Sequence, residues 1–218
     1  MSPMGIAFVL MTSQEWLEWQ YSHFGELKIE DKSFTYIDHL AFNVSPDMLD
    51  KCARWVTQHL EFKALPAYEI HGAKTGFKCS AFISTDEEIS LVVNVSDMPD
   101  SQINTFMARH KGAGIQHLAF ATQAICRTVK ELRAAHLPFV SVPKAYYDEL
   151  NVDIHTRNDI ESLGILLDKA PQGSGFLKQI FTQEILGPLF FELIQRQNRQ
   201  GFGEGNITAL FKAVERGG

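Results

Sequence analysis

Three side chains that suit metal binding stand out, because two of them occur in nearly identical surroundings. His39 lies in the segment IDHLAF and His117 lies in the segment IQHLAF, 78 residues further along the chain. Glu192 is the one acid in the apolar run FFELI, and a buried carboxylate without a partner is costly. Two neutral imidazoles and one carboxylate form the facial triad of non-haem Fe(II) oxygenases, although zinc accepts the same atoms. The three residues therefore predict a metal site, with Fe(II) as the ion that fits best.

The elements that must position the two histidines are strands. Residues 36–44 and 115–121 are rich in strand formers, and side chains on a strand alternate between its two faces. Each histidine then shares a face with the alanine two residues later, which leaves room for a metal and a ligand. Helical apolar spacing follows at 48–60 and 124–137, and further strand-like segments come after each helix. This internal repeat predicts that two matching first strands bring their histidines into a shared cavity.

Simpler explanations exist for each residue taken alone. A histidine in an apolar strand is more often a core residue than a ligand. Glu192 could instead lie on a solvated face or pair with Arg196. The coincidence of all three residues with the repeat favours the metal site.

The overall composition excludes several classes of partner. The chain has 218 residues and a formal net charge of −6, whereas nucleic acids and anionic membranes need a basic face. We therefore expect no nucleic acid and no membrane as partner, and the first residues lack the basic region of a signal peptide. The three cysteines show no CxxC spacing, which predicts free thiols in a reducing compartment and a cytoplasmic protein.

The repeat also predicts the domain organisation and the fold class. Residues 1–33 are predicted to be an N-terminal segment, either a remnant or a linker, and residues 34–218 a catalytic domain. Its two modules, about 34–110 and 114–218, each follow the order βαβββ. We predict an α+β fold in which the tandem modules form an open, curved, mixed β-sheet barrel around the metal. A glycine-rich turn and an amphipathic helix within residues 201–215 would act as a movable lid.

Longer motifs around these residues resemble the iron-binding half of the 4-hydroxyphenylpyruvate dioxygenases, in the vicinal oxygen chelate (glyoxalase-like) superfamily. The matching stretches cover about residues 34–216 and are IDHLAFNV, SQINTFMARHKGAGIQHLAF, PKAYYDEL, LKQIFTQEILGPLFFELIQR and GFGEGNITALF. The resemblance implies that His39, His117 and Glu192 hold Fe(II). It also implies a dioxygenase of tyrosine catabolism that converts an aromatic α-keto acid, 4-hydroxyphenylpyruvate, and O₂ to homogentisate and CO₂. We further expect a homo-oligomer.

The resemblance assigns more residues to a pocket around the metal. Polar residues that would serve the reaction are Ser80, Asn94, Gln102, Gln116 and Gln179. Residues that would contact the substrate ring or form a gate over it are Phe181, Phe202, Asn206 and Ile207. Single members of the polar set could instead make structural hydrogen bonds.

Some positions leave other functions open. Ile207 stands where the dioxygenase usually has phenylalanine, and it matches 4-hydroxymandelate synthase, which hydroxylates the benzylic carbon of the same substrate. Val92 replaces a common proline, whereas Asn94 matches the dioxygenase. Relatives usually carry an additional N-terminal pair of modules without iron, so a metal-binding or ligand-binding remnant is another alternative. An extradiol ring-cleaving dioxygenase would share the fold and triad, but the GFGEGN and LKQIFT motifs argue against it.

Overall fold

Nine strands of the described residues form one mixed sheet. The computed structural model describes residues 33–72, 75–169, 175–198 and 201–209. The strands are β1 (Tyr36–Asn43), β2 (Lys63–Ala64), β3 (Tyr68–His71), β4 (Gly76–Ile83), β5 (Ser90–Val95), β6 (Gly114–Ala121), β7 (Leu166–Lys169), β8 (Phe176–Phe181) and β9 (Phe190–Gln197). The helices are α1 (Leu49–His59), α2 (Gln102–His110), α3 (Ile125–Ala134), α4 (Lys144–Asp148) and α5 (Ile154–Leu163), with a 3₁₀ turn at Pro46–Met48. The strand order is β2-β4-β5-β1-β6-β9-β8-β7, and β3 also pairs with β4.

The two halves of the sheet repeat each other about its centre. The first strands of the two modules, β1 and β6, pair antiparallel there. Each pairs in parallel with the last strand of its own module, β5 or β9, and each of these pairs antiparallel with the strand before it. This arrangement confirms the predicted tandem βαβββ modules, and the sheet stays open between β7 and the β2–β3 edge.

The β2–β3 edge is a single strand interrupted once. Lys63 of β2 pairs with Ile83, and Tyr68 of β3 pairs with Cys79, along the same side of β4. Pro66, which has no N–H to donate to a sheet ladder, lies in the gap. The first module therefore keeps the order βαβββ, and the restart of the strand places Tyr68 opposite Cys79.

The helices α1 and α3 confirm the predictions made from apolar spacing. Cys52 and Val56 of α1 pack into one apolar core of the first module, while Ile125 and Val129 of α3 join a separate core in the second. The sequence pattern did not indicate α2, α4 or α5. In α4 the reason is visible, because long-range contacts hold this five-residue helix: the Tyr146 hydroxyl bonds to the backbone of Leu167 in β7.

The cysteines and the helices bear on the predictions of free thiols and of no membrane partner. Cys52, Cys79 and Cys126 carry free thiols. Within the described ranges, no helix combines the length and apolar character needed to cross a membrane. The predicted N-terminal segment lies outside the described residues except at Ser33, and the last helix is described at 204–209.

Candidate metal centre

The three predicted ligands converge in the structure. One donor atom each from His39, His117 and Glu192 lies within 4.8 Å of the other two. The two histidine Nε2 atoms are 3.3 Å apart, and Glu192 Oε2 lies 3.5 Å and 3.4 Å from them. The sheet explains this convergence, because Ala119 of β6 is paired with His39 of β1 on one side and with Glu192 of β9 on the other. Three adjacent strands thus supply the donor set.

Hydrogen bonds on the far side of each ring direct the Nε2 lone pairs towards this point. His39 Nδ1 donates to Asp38 Oδ1 at 2.9 Å, and His117 Nδ1 donates to the amide oxygen of Gln116 at 3.2 Å. A neutral ring that donates from Nδ1 presents an unprotonated Nε2. Two imidazole lone pairs and one carboxylate oxygen therefore face each other, and a cation between them would turn repulsion into attraction. This donor set fits a divalent metal.

Burial sets the protonation states that a metal requires. The pKa of His117 lies well below its ordinary value, because the ring is desolvated and because His39 is close. Burial also raises the pKa of Glu192, an effect opposed by His39 and by a hydrogen bond from Gln179 Nε2 at 2.7 Å. Glu192 is only 2% exposed, so the alternative of a solvated face is wrong. A neutral imidazole is the form that binds metals.

Arg196 orients His39 through Asp38. The guanidinium donates from Nε to Asp38 Oδ2 at 2.6 Å and from Nη2 to Oδ1 at 2.7 Å. Burial alone would raise the pKa of Asp38, but these bonds and the one from His39 hold that pKa well below its usual range. The ionised carboxylate then fixes the proton on Nδ1 of the ring. This role was not predicted from the sequence, which suggested Glu192 rather than Asp38 as a partner of Arg196.

A local irregularity in β1 explains why the contact between Asp38 and His39 was not predicted. Neighbouring side chains on a regular strand point to opposite faces, so Asp38 was not expected to bond to the ring of His39. The pairing of β1 with β6 shifts register between Ile37 and His39. Such a bulge changes the direction of side chains, and it depends on pairing with the neighbouring strand. The sequence signal that could have indicated the contact is an acid directly before a candidate histidine ligand.

Glu192 is held from behind by a chain of amides. Gln179 donates to Glu192, and its Oε1 accepts from Asn206 Nδ2 at 2.7 Å. The Tyr146 hydroxyl in turn donates to Asn206 Oδ1 at 3.0 Å. Gln179 and Asn206 thus lie behind Glu192 and do not line the cavity, although the resemblance predicts both as pocket residues.

The glycine-rich turn brings Phe202 over the metal site. The Phe202 ring stands nearly perpendicular to the His39 ring, with centroids 5.1 Å apart, and its carbonyl accepts from Gln179 Nε2 at 3.1 Å. Gly203 has φ +81°, and a Cβ there would collide with the side-chain amide of Gln179. Arg196 Nη1 donates to the carbonyl of Gly201 at 2.5 Å, so the side chain that orients His39 also holds this turn.

A cavity of about 630 Å³ opens in front of the three ligands. Of the pocket residues expected from the resemblance, the structure places six at its surface: Asn94, Gln102, Gln116, Phe181, Phe202 and Ile207. Ser80 does not line it. Cys79 does, because alternate residues of β4 face opposite sides and Phe77 shares the cavity side. Tyr68 and Phe190 also line the cavity and were missed.

Fold and site together define a protein that can bind a metal between two βαβββ modules, beside a cavity lined largely by apolar groups. Residues 36–165 match the model of the Glyoxalase/Bleomycin resistance protein/Dioxygenase superfamily. The chain belongs to this superfamily.

Curated relatives agree with that assignment. The chain is 37% identical over 185 residues to a 4-hydroxyphenylpyruvate dioxygenase of Pseudomonas aeruginosa, a match that covers 83% of this chain and 52% of the relative. A 4-hydroxyphenylpyruvate dioxygenase of Legionella pneumophila is 40% identical over 187 residues, with coverages of 84% and 54%. A mutant of 4-hydroxymandelate synthase from Streptomyces coelicolor is similar in structure, with a TM-score of 0.77, 30% identity and coverages of 84% and 54%. The chain spans about half the length of these relatives.

Proposed function

We propose that this chain carries the site of an Fe(II)-dependent dioxygenase that converts 4-hydroxyphenylpyruvate and O₂ to homogentisate and CO₂, a step of tyrosine catabolism. The observation that carries the proposal is the convergence of two Nε2 lone pairs and one buried carboxylate at the cavity wall. Ligands on one face leave the remaining coordination positions open, as in non-haem iron oxygenases. The names of the relatives support the choice of substrate. A homo-oligomer and a cytoplasmic location stay predictions.

His39, His117 and Glu192 would hold the ferrous ion. When bound, the ion would supply activation of O₂ coupled to oxidative decarboxylation of the α-keto acid. The tasks left to the chain are to orient the substrate and to keep water out.

Aromatic side chains form the wall that would orient the substrate ring. Phe190 stacks on the ligand His117 with centroids 4.9 Å apart, and Phe181 stands nearly perpendicular to Phe190 at 6.0 Å. Phe202 and Ile207 lie in residues 201–209, the described part of the predicted lid, which we call the lid segment, and both line the same cavity. A flat ring entering this slot would be held beside the metal ligands, and the apolar lid would exclude water from the reacting groups.

Oxygen uptake by the Fe(II)-loaded protein with 4-hydroxyphenylpyruvate tests the proposal, with products separated and identified. We expect consumption of O₂ with formation of homogentisate, and no uptake by Glu192→Ala. Glu88→Ala, which removes an exposed acid, is the matched control and should keep full activity. Absence of uptake by folded, iron-loaded protein would contradict the proposal and favour a binding domain without turnover.

A second candidate is benzylic hydroxylation of the same substrate to 4-hydroxymandelate. The observation that favours it is Ile207, which lines the cavity and marks the synthase in the resemblance. The likeness to the structure of a 4-hydroxymandelate synthase mutant points the same way. If hydroxymandelate forms, Ile207→Phe should shift the products towards homogentisate, since a larger side chain moves the ring. An unchanged product ratio would show that Ile207 does not determine which product forms.

A further inference from the structure

A second cavity, of about 390 Å³, lies beside the metal cavity. The two cavities share four lining residues, which are Gln102, Gln116, Glu184 and Phe190. Gln102 and Glu184 are exposed, whereas Gln116 is buried. The second cavity therefore runs from the protein surface to a partition that it shares with the metal cavity, and the proposed chemistry has given it no role.

The inner end of the second cavity is one side chain away from a metal ligand. Gln116 accepts a hydrogen bond from His117 Nδ1 at 3.2 Å, and Phe190 stacks on the His117 ring with centroids 4.9 Å apart. Phe202 and Ile207 of the lid segment line the metal cavity, but no described residue of that segment lines the second one. The second cavity thus approaches the metal ligands from a side that the lid segment does not cover.

An ion pair stands at the outer end of the second cavity. Arg109 of α2 donates from Nη1 to Glu184 Oε1 at 2.5 Å and from Nη2 to Glu184 Oε2 at 2.6 Å. The two side chains are 52% and 43% exposed, and ion pairs at such positions are screened by salt and add little to stability. Arg109 can therefore release Glu184 and pair with another carboxylate, whose two oxygens suit the same fork of donors.

Three charged side chains set the electrostatic potential at this opening. Asp100, Arg109 and Glu184 all line the second cavity. Among the described residues, Arg109 is the only lysine or arginine that lines either cavity. The whole chain has a formal net charge of −6, so it repels anions in general. An anion that approaches the metal site therefore finds its one attractive charge at Arg109.

We propose that the second cavity is an entrance to the metal site for an anionic substrate, and that Arg109 attracts the carboxylate of this substrate at the opening. The inference rests on the proposed function, because an α-keto acid carries the carboxylate that the guanidinium would bind. Glu184 opposes the attraction, since it occupies the guanidinium until the substrate arrives. Gln102 and Glu184 then move aside to let the substrate pass, and their exposure leaves room in the solvent for that movement.

Stopped-flow mixing of the Fe(II)-loaded protein with 4-hydroxyphenylpyruvate, without oxygen, gives the rate constants of association and dissociation in the absence of turnover. At low salt, Glu184→Gln should raise the association rate constant by about 2- to 5-fold, because it frees the guanidinium of Arg109. Arg109→Gln should lower it by a similar factor, because Asp100 and Glu184 then stand alone at the opening. Both effects should shrink at high salt. Arg127→Gln is the control, since it removes an exposed guanidinium that lines neither cavity.

The opposite signs of the two effects separate this role from a merely structural one. Either substitution breaks the same ion pair between Arg109 and Glu184. If the pair served only to hold α2 in place, both variants would change the association rate constant in the same direction.

A substitution that narrows the second cavity tests the route itself. Thr105 is exposed and lines the second cavity but not the metal cavity. Thr105→Trp should slow association and dissociation several-fold by the same factor and leave Kd unchanged, because it obstructs the passage without touching the bound substrate. Ala108→Trp is the matched control, at an exposed position of the same helix that lines neither cavity.

The failure of this inference and the failure of the proposed function give different results. Unchanged rate constants in Thr105→Trp, or effects of the same sign in Glu184→Gln and Arg109→Gln, overturn the inference. The proposed function then still stands, since the substrate would enter beside the lid segment instead. Failure of the wild-type protein to bind 4-hydroxyphenylpyruvate overturns the proposed function, and this inference with it.

Discussion

Replacing Glu192 by Gln should make the metal-free protein more stable. The change keeps the size of the side chain and leaves one oxygen to accept from Gln179 Nε2, which now lies at 2.7 Å. The other carboxylate oxygen lies 3.5 Å from His39 Nε2 and 3.4 Å from His117 Nε2. An amide N–H in its place would donate to one of these nitrogens, so repulsion between lone pairs becomes a hydrogen bond.

The magnitude follows from the burial of Glu192. A buried polar group without a proper partner costs about 1–3 kcal/mol, and we expect the free energy of unfolding to rise by this amount in the variant. For a domain of this size each kcal/mol raises Tm by roughly 2–4 °C.

The gain should depend on pH with a defined sign. Burial raises the pKa of Glu192 in the folded state. Its contribution to stability is therefore present below the ordinary carboxyl pKa and is lost as the pH rises through the folded-state pKa. The difference between Glu192→Gln and the wild-type protein should consequently grow as the pH rises through that folded-state value.

Bound metal should make the wild-type protein more stable than the Glu192→Gln variant. An ion present at about 100 times its Kd stabilises a protein that binds it only when folded by about 2.7 kcal/mol. The wild-type protein should gain this stability with Fe(II) or Co(II) in the absence of oxygen, and the variant should gain little of it. Thermal unfolding with and without metal measures both effects, with Glu88→Gln, at an exposed position, as the control. A variant that is less stable without metal and still shows the wild-type response to metal would refute the reasoning.

Three further changes test the surroundings of the metal centre. Asp38→Asn should weaken metal binding by about 10- to 100-fold, because the proton on His39 Nδ1 loses its carboxylate partner; a chelator competition titration measures this, and unchanged affinity would contradict it. Gly203→Ala should displace the lid segment, since its Cβ would collide with Gln179 at φ +81°; turnover at the wild-type rate would count against this contact. Burial raises the pKa of Cys79 to about 12, so iodoacetamide should label this thiol in unfolded but not in folded protein, as followed by mass spectrometry. Rapid labelling of the folded protein would show that the thiol is accessible.

The fold and the two histidine ligands could be predicted because both depend on local patterns that occur twice, and Glu192 could be predicted because it is the one acid in an apolar strand. The strand-forming residues of β1 and β6 and the helical spacing of apolar residues in α1 and α3 are properties of short segments. The repeat around His39 and His117 then links the two halves without knowledge of their contacts.

The composition of the cavity was harder to predict, because one residue of register exchanges the two faces of a strand. The resemblance assigned Ser80 to the pocket, whereas the pairing of β4 with β5 turns its neighbour Cys79 inwards, opposite Asn94. Tyr68 carries no motif, and its place at the cavity follows from the strand restart after Pro66.

The sequence by itself determined the tandem modules, the strands that carry two histidines and the apolar strand that carries one acid. Tertiary structure explains why the two modules form a single metal site. Val92 is paired with Ala41 in the first module as Glu192 is paired with Ala119 in the second, so an apolar side chain takes the place of a second carboxylate. It also decided that Asp38 and Arg196 orient His39, through a bulge in β1 and a contact between residues 158 positions apart. Register and bulges depend on pairing between distant strands, and that pairing exists only in the folded chain.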